Sequence, residues 1–288
     1  MRNAIYMFSR SNNKRVIKEY FATNKVRRLF QQNNLSSFKD LWDLDASWFE
    51  PPNERRKGLS GVMTYELEVG DGSVQRIFIK RQENHNTRTL KHPIRGVPTF
   101  FREFNTVQKL QHAGVPVIEV LYYGQTLSKS NQQCILVSRA LEEYVSLDQW
   151  FSRYEERNDP IRVRSVLQAV VNAIKLMHQK RVRHGSLHGK HVLVRPPANG
   201  DTVGSVVDVC LIDLEKACRP MFHNRMIEKD LSQLLRHTKG ITRKEFHTLV
   251  DLYFDESDQK RWHLRLQRAI ETKQRTRANS YSVLQAND

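Results

Sequence analysis

Cysteine is scarce: the 288 residues contain three, Cys134, Cys210 and Cys218, with no CxxC spacing. Three thiols cannot all pair, which excludes a disulfide framework and makes a reducing compartment the expectation. Long apolar runs are missing too. No stretch approaches the ~18 consecutive apolar residues of a transmembrane helix, and the opening MRNAIYMFSRSNNKRVIKEYF has no continuous apolar region of the kind a secretory signal needs. Internal repeats and low-complexity tracts are absent. So are helix-turn-helix, RNA-recognition and zinc-finger patterns, which leaves a nucleic-acid partner supported by charge alone. Acidic residues are in deficit, 31 Asp and Glu against 47 Lys and Arg, for a net charge of +16. That excess suits an anionic membrane surface, a phosphorylated substrate, or simply a solvated basic face.

What is present is enough for a sizeable core. The length corresponds to about two domains or one bilobal unit, and 39% of the residues are hydrophobic. Residues 1–50 read as a basic helical extension, with Val16, Tyr20, Phe21, Val26, Phe30 and Leu35 at loosely helical spacing. From Ser60 the period changes. Residues 62–69 alternate as a strand, Gly70-Asp71-Gly72 supplies a turn, and 74–82 form a second strand ending near Lys80. A basic loop over 84–98 leads to a helix over 99–114, with Phe100, Phe104, Val107 and Leu110 on one face and Gly114 as its stop. Strands over 115–124 and 133–141 follow. The remainder is mostly helical: a short helix to Tyr154, a long amphipathic one over 161–182, then segments 226–238, 243–254 and 258–273, with the tail from 276 expected to fray. Two short apolar strands, 191–195 and 206–213, interrupt it. The expected fold is therefore α+β and bilobal, with a small β-rich lobe over 51–138 and a helical lobe over 139–288. That is the layout of a protein kinase, an analogy that needs residues to support it.

Four local signals supply them. Ile77-Phe78-Ile79-Lys80 matches the kinase strand whose lysine holds nucleotide phosphates and pairs with a helix glutamate. Glu103 lies 23 residues later, on the next helix, between core-facing phenylalanines. His184-Gly-Ser-Leu-His188-Gly-Lys-His191 has the position and length of a catalytic loop, with Ser186 in the aspartate slot and His191 in the asparagine slot. Three imidazoles in this loop also raise a zinc site as an alternative, which Gly185 and Gly189 oppose by disfavouring a helix. Finally, the apolar strand ending at Asp213 stands where a kinase aspartate holds Mg²⁺.

The sequence resembles the lipopolysaccharide kinase family, the Kdo and heptose kinases, and most closely its InaA-type branch. The resemblance rests on Trp48-Phe-Glu-Pro-Pro-Asn53, Ser60-Gly-Val62, Ile79-Lys-Arg-Gln-Glu-Asn84, His92-Pro-Ile-Arg-Gly-Val-Pro-Thr99, Phe101-Arg-Glu-Phe104, the His184–His191 loop, Leu211-Ile-Asp-Leu214 and Lys229-Asp-Leu-Ser-Gln-Leu234. It implies a protein-kinase-like fold, ATP with Mg²⁺, and phosphorylation of a heptose or Kdo sugar in the lipopolysaccharide inner core or another phosphorylated glycolipid. The place of action it implies is the cytoplasmic face of the bacterial inner membrane, with peripheral binding to the anionic bilayer. By residue, it implies Lys80 on the phosphates with Glu103 as its partner. Gly58, Ser60 and Gly61 become the remnant of a phosphate-covering loop, Asp213 and His191 the metal ligands, and Ser138–Leu141 the adenine hinge. One departure matters. Ser186 replaces the aspartate that accepts or orients the hydroxyl proton, and a serine needs activation, from His188 or His184, to do either. A pseudokinase, binding nucleotide or scaffolding in an envelope or acid-stress response, is the alternative that Ser186 raises.

Overall fold

The computed structural model describes residues 5–11, 15–55, 58–89, 92–127, 131–152, 159–195 and 207–285. The chain divides into two compact units, one made of Met1–Lys109 with Ile118–Glu142, the other of Leu110–Val117 with Glu143–Asp288.

The first unit is built on a seven-stranded antiparallel sheet. Its strands are β1 (Ile5–Ser11), β2 (Arg15–Phe21), β3 (Ser47–Arg55), β4 (Gly58–Gly70), β5 (Ser73–Glu83), β8 (Val120–Leu127) and β9 (Gln132–Arg139), in the order β1-β2-β8-β9-β5-β4-β3. Asp71 and Gly72 take φ of 50° and 80° in the β4–β5 turn, as a tight hairpin requires. Successive strand residues face opposite sides, and β5 uses this. Ile77 and Ile79 are fully buried on one side, while Lys80 and Gln82 point to the other, toward helix α3 (Thr99–His112).

The expected helical extension over 1–50 differs from what forms. Residues 5–21 are a β-hairpin, and helices α1 (Asn24–Gln32) and α2 (Phe38–Asp43) come only after it. The reason is visible at Tyr20 and Phe21. Both are buried, but Tyr20 packs edge-on to Phe104 of α3 at 5.0 Å while Phe21 packs on Phe30 of α1 and on Tyr122. Adjacent side chains can reach opposite layers from a strand but not from one face of a helix. β2 also pairs with β8 along residues Val16–Phe21, so β8 gains a full set of backbone partners. Part of the expected basic loop over 84–98 is likewise a hairpin, β6 (Asn86–Thr89) with β7 (His92–Pro98).

The second unit is helical around a three-stranded sheet of β10 (Val145–Ser146), β11 (Val192–Arg195) and β12 (Asp208–Leu211). Its helices are α4 (Leu147–Ser152), α5 (Pro160–Gln179), α6 (His223–His237), α7 (Arg243–Tyr253) and α8 (Glu256–Gln285). α5 starts as its sequence dictates: Asp159 accepts hydrogen bonds from the Ile161 and Arg162 N–H groups, and Pro160 fills the first helical position. Val163, Val166, Leu167, Val170, Ile174 and Met177 form its buried stripe. α8 runs through Gln285, so the tail expected to fray is helical over most of its length. The Pro196–Val206 insertion lies outside the described residues.

Candidate functional site

In the β-rich unit the site begins with Lys80. Its Nζ donates to both carboxylate oxygens of Glu103, at 2.7 and 3.0 Å. The Glu103 side chain is fully buried and Lys80 is 18% exposed. A buried carboxylate is tolerated only when a cation and hydrogen bonds replace its water, so this pair fixes the lysine on a rigid strand. Gln82, two residues on and facing the same way, fixes the helix. Its Oε1 accepts from Thr99 Oγ1 and from the Phe100 N–H, both at 2.8 Å, and its Nε2 donates to the His85 carbonyl at 2.6 Å. Gln82 thus ties the start of α3 to β5 and sets the height at which Glu103 meets Lys80. Glu83 and Asn84 serve the same corner. Glu83 accepts from Asn131 and Gln133, and Asn84 Oδ1 accepts from the Gln132 N–H.

The glycines predicted to cover phosphate have a packing role in this sheet. A Cβ on Gly58 would stand 2.5 Å from the Asn84 carbonyl carbon, and one on Gly61 would stand 2.6 Å from the Trp48 ring. Ser60 and Gly61 lie within β4 opposite Gln82 and Arg81, and Gly58 opens the strand beside the β3–β4 tip. Residues 56 and 57 of that tip lie outside the described residues. The expected hinge Ser138–Leu141 closes β9 just ahead of the point, Glu142–Glu143, where the chain enters the helical unit.

In the helical unit the loop 184–191 hangs from a fully buried aspartate, Asp230 of α6. Asp230 accepts from the His184 N–H at 2.6 Å, from the Gly185 N–H at 3.1 Å and from His178 Nε2 at 3.2 Å. With that proton on Nε2, His178 Nδ1 accepts from the Tyr253 hydroxyl at 2.7 Å. Burial pushes the Tyr253 phenol well up, so it remains a donor. Gly185 is required here: its φ is 77°, and a Cβ would meet the Lys216 carbonyl oxygen at 2.5 Å. Nothing in the spacing of Lys229–Leu234 marks Asp230 as an anchor. The available signal was a carboxylate on an apolar face, four residues from Met226 on one side and Leu234 on the other.

The structure does not bring the predicted activators to Ser186. Ser186 is buried, and its Oγ makes no hydrogen bond among the described residues. His184 has both nitrogens committed to backbone: Nε2 donates to the Ile212 carbonyl at 2.9 Å, and Nδ1 accepts from the Ser186 N–H at 3.3 Å. Burial lowers its pKa to about 4. His188 Nε2 accepts from Gln233 at 2.9 Å, and burial together with His237 lowers its pKa to about 4 as well. The imidazoles of the loop stack instead of converging. His191 lies between His184 at 6.1 Å and His188 at 5.3 Å, and His188 stacks on His237 at 4.5 Å. Among the described residues no cluster of three or more ligating side chains forms a metal site, which removes the zinc alternative there.

His191 and Asp213 do meet. His191 Nδ1 donates to the Ser186 carbonyl at 2.7 Å, which in the neutral ring leaves a lone pair on Nε2, 3.2 Å from Asp213 Oδ2. Asp213, two residues past the end of β12, takes φ 61°, ψ 57°, a left-handed conformation uncommon outside glycine and often found where function holds a residue in strain. Two donors this far apart fit neighbouring positions of an octahedral Mg²⁺, whose bonds of about 2.0–2.1 Å put such ligands about 3 Å apart. Mg²⁺ typically takes few protein ligands and fills the rest with phosphate oxygens and water, so a two-residue set is adequate for it.

A strand lysine paired to a helix glutamate in a β-rich unit, followed by a helical unit with a buried-aspartate-anchored loop and a strand-end aspartate, defines a protein-kinase-like α+β fold. Among solved structures, WaaP in complex with acyl carrier protein matches 85% of this chain and 95% of its own, with a TM-score of 0.58 and 22% identity. Protein InaA of Escherichia coli (strain K12) is 26% identical over 219 residues, which are 75% of this chain and 95% of InaA. The sequence model of the lipopolysaccharide kinase (Kdo/WaaP) family matches residues 39–253, and the chain belongs to that family.

Proposed function

We propose that this chain is an ATP-dependent sugar kinase that phosphorylates a heptose or Kdo hydroxyl of the lipopolysaccharide inner core at the cytoplasmic face of the inner membrane. The observation that carries the reading is the Lys80–Glu103 pair, a strand-borne ammonium held in place by a carboxylate with no exposure to water. In this role Lys80 neutralises the α- and β-phosphates, and Glu103 with Gln82 keeps it there. His191 and Asp213 would hold Mg²⁺, which would supply charge neutralisation at the nucleotide phosphates. Phosphoryl transfer forms a bond from the acceptor oxygen to the γ-phosphorus and breaks the bond to the β–γ bridging oxygen. It depends mainly on alignment and charge, so the absence of a carboxylate at Ser186 slows it without forbidding it. The Asp230 anchor keeps the loop, and with it His191, in place.

Ser186 favours a second reading, nucleotide binding without transfer. One measurement tests both readings and a second separates them. ATP with Mg²⁺ raises the melting temperature under both readings, and Lys80→Ala or Asp213→Ala removes the shift. Single-turnover transfer of labelled γ-phosphate to delipidated core oligosaccharide occurs only under the first. There, Ser186→Asp accelerates it by up to ~10²–10⁴-fold, the usual worth of general-base help. ATP binding with no transfer by either protein leaves the second reading standing. An unchanged melting curve in ATP removes both.

A further inference from the structure

Resting on the reading that the acceptor is a membrane glycolipid, we propose that the helical unit carries the docking surface for an anionic bilayer. In this arrangement Met221 and Phe222 enter the headgroup region, and the groove between α6 and α8 binds lipid phosphates.

The first observation is an exposed apolar pair. Met221 is 85% exposed and Phe222 64% exposed. Phe222 occupies the N-cap position of α6 and makes no side-chain cap hydrogen bond. Folding would favour Ser, Thr, Asp or Asn there. The second is charge. A groove of about 770 Å³ between α6 and α8 is lined by Arg225, Lys229, Arg261, Arg265, Arg268 and Lys273. Two of these cations are engaged, Arg265 with Glu228 and Arg261 with Asp258. Arg225, Lys229, Arg268 and Lys273 make no ion pair among the described residues. The third is continuity. Arg225 and Lys229 also line a second hollow of about 300 Å³ that contains Met221 and Phe222, so the cations and the apolar knob form one surface.

Charge alone would suit any polyanion. Exposed apolar side chains beside unpaired cations suit a bilayer, where the rings and thioether leave water while Arg and Lys meet phosphates. No helix among the described residues is long and apolar enough to cross a membrane, so such binding is peripheral. The placement also serves the chemistry. Cys218 bridges Arg183 through backbone hydrogen bonds of 2.9 and 3.0 Å, one residue before His184. The segment bearing Met221 and Phe222 is therefore laced to the base of the loop that carries Ser186 and His191.

The test is flotation of the full chain with vesicles containing phosphatidylglycerol against vesicles of phosphatidylcholine alone, without nucleotide or acceptor. We expect binding to the first only. At low salt, Arg225→Glu with Lys229→Glu weakens it at least ~tenfold, since each basic residue near an anionic surface is worth about fivefold. Met221→Ser with Phe222→Ser leaves binding that high salt abolishes completely, whereas the unaltered chain retains part of its binding in salt. Lys25→Glu with Arg28→Glu, on exposed positions of α1, changes little. Melting curves check that each variant folds. Three results would overturn the proposal: no vesicle binding (which would favour an acidic protein as occupant), equal binding to both vesicles, or equal loss from the α1 pair. Transfer to delipidated core oligosaccharide needs no bilayer, so its failure tests the kinase reading while flotation tests this surface.

Discussion

Each unit contributes one pair of facing side chains, and the two pairs are held differently. Lys80 and Glu103 are opposite charges joined at 2.7 Å, with the carboxylate sealed from water. His191 and Asp213 are two electron-pair donors 3.2 Å apart when the ring is neutral, and Asp213 is 26% exposed on a left-handed backbone. The first pair compensates itself, and its carboxylate is part of the core. The second gains from a cation placed between its members, and the protein holds it by the left-handed backbone at Asp213, by the Ser186 carbonyl and by the stacking of His191 between His184 and His188. The difference assigns stability mainly to the first pair and ligand response mainly to the second.

The largest expected effect comes from the support beneath the second pair. Asp230→Ala leaves the His184 and Gly185 N–H groups and His178 Nε2 without their acceptor. At about 1–3 kcal/mol for each buried donor, urea unfolding is expected to show a loss of roughly 4 kcal/mol or more. A loss under ~1 kcal/mol would mean the loop does not hang from α6. Next, Glu103→Ala strands a partly buried lysine and costs about 3 kcal/mol, while Lys80→Met with Glu103→Leu recovers most of it. A double-mutant cycle measures this, and additive losses would break the claim that the two groups act as one. Asp213→Gly is expected to change stability by less than ~1 kcal/mol, and upward, because glycine adopts φ 61° without cost. The same variant loses the melting shift produced by ATP with Mg²⁺. A large destabilisation would put Asp213 in the same class as Glu103.

The last expected effect is on pH. Folding lowers the pKa of His184 and His188 from 6.5 to about 4. Between these values the unfolded chain binds more protons than the folded one, so stability is full above pH 6.5 and declines as pH falls toward 4. Melting curves across this range measure it. A flat profile would show that the stacked imidazoles take up protons without leaving their places.

Much of the first pair was legible in sequence. A strand ending in lysine and a helix glutamate flanked by phenylalanines are local patterns, and the strand period alone puts Lys80 and Gln82 on one side. The function of Gln82 was not legible, because it depends on which helix terminus lies above it. The loop 184–191 lies between helix and strand as its place in the sequence implies, while the nitrogens of His184 and His188 meet partners other than the Ser186 hydroxyl. Spacing cannot say that His184 spends both nitrogens on backbone, or that His188 turns to Gln233. The N-terminal hairpin was missed because Val16, Tyr20 and Phe21 satisfy a loose helical period as well as an alternating one. Only the presence of β8 as a partner decides between them.

That hairpin bears on where this family's domain can be cut. The family match begins at residue 39 and ends at 253. Yet β2 supplies the hydrogen-bonding partner of β8, and Phe21 and Phe30 pack on Tyr122. At the other end, Trp262 and Leu266 of α8 are buried, with Trp262 stacked on Phe254 at 4.4 Å. A chain trimmed to the matched span would present β8 as a bare edge over an opened aromatic cavity, the kind of surface that recruits strands from neighbouring molecules. The matched span and the folding unit do not coincide here, and a trimmed protein that aggregates would say nothing about its chemistry.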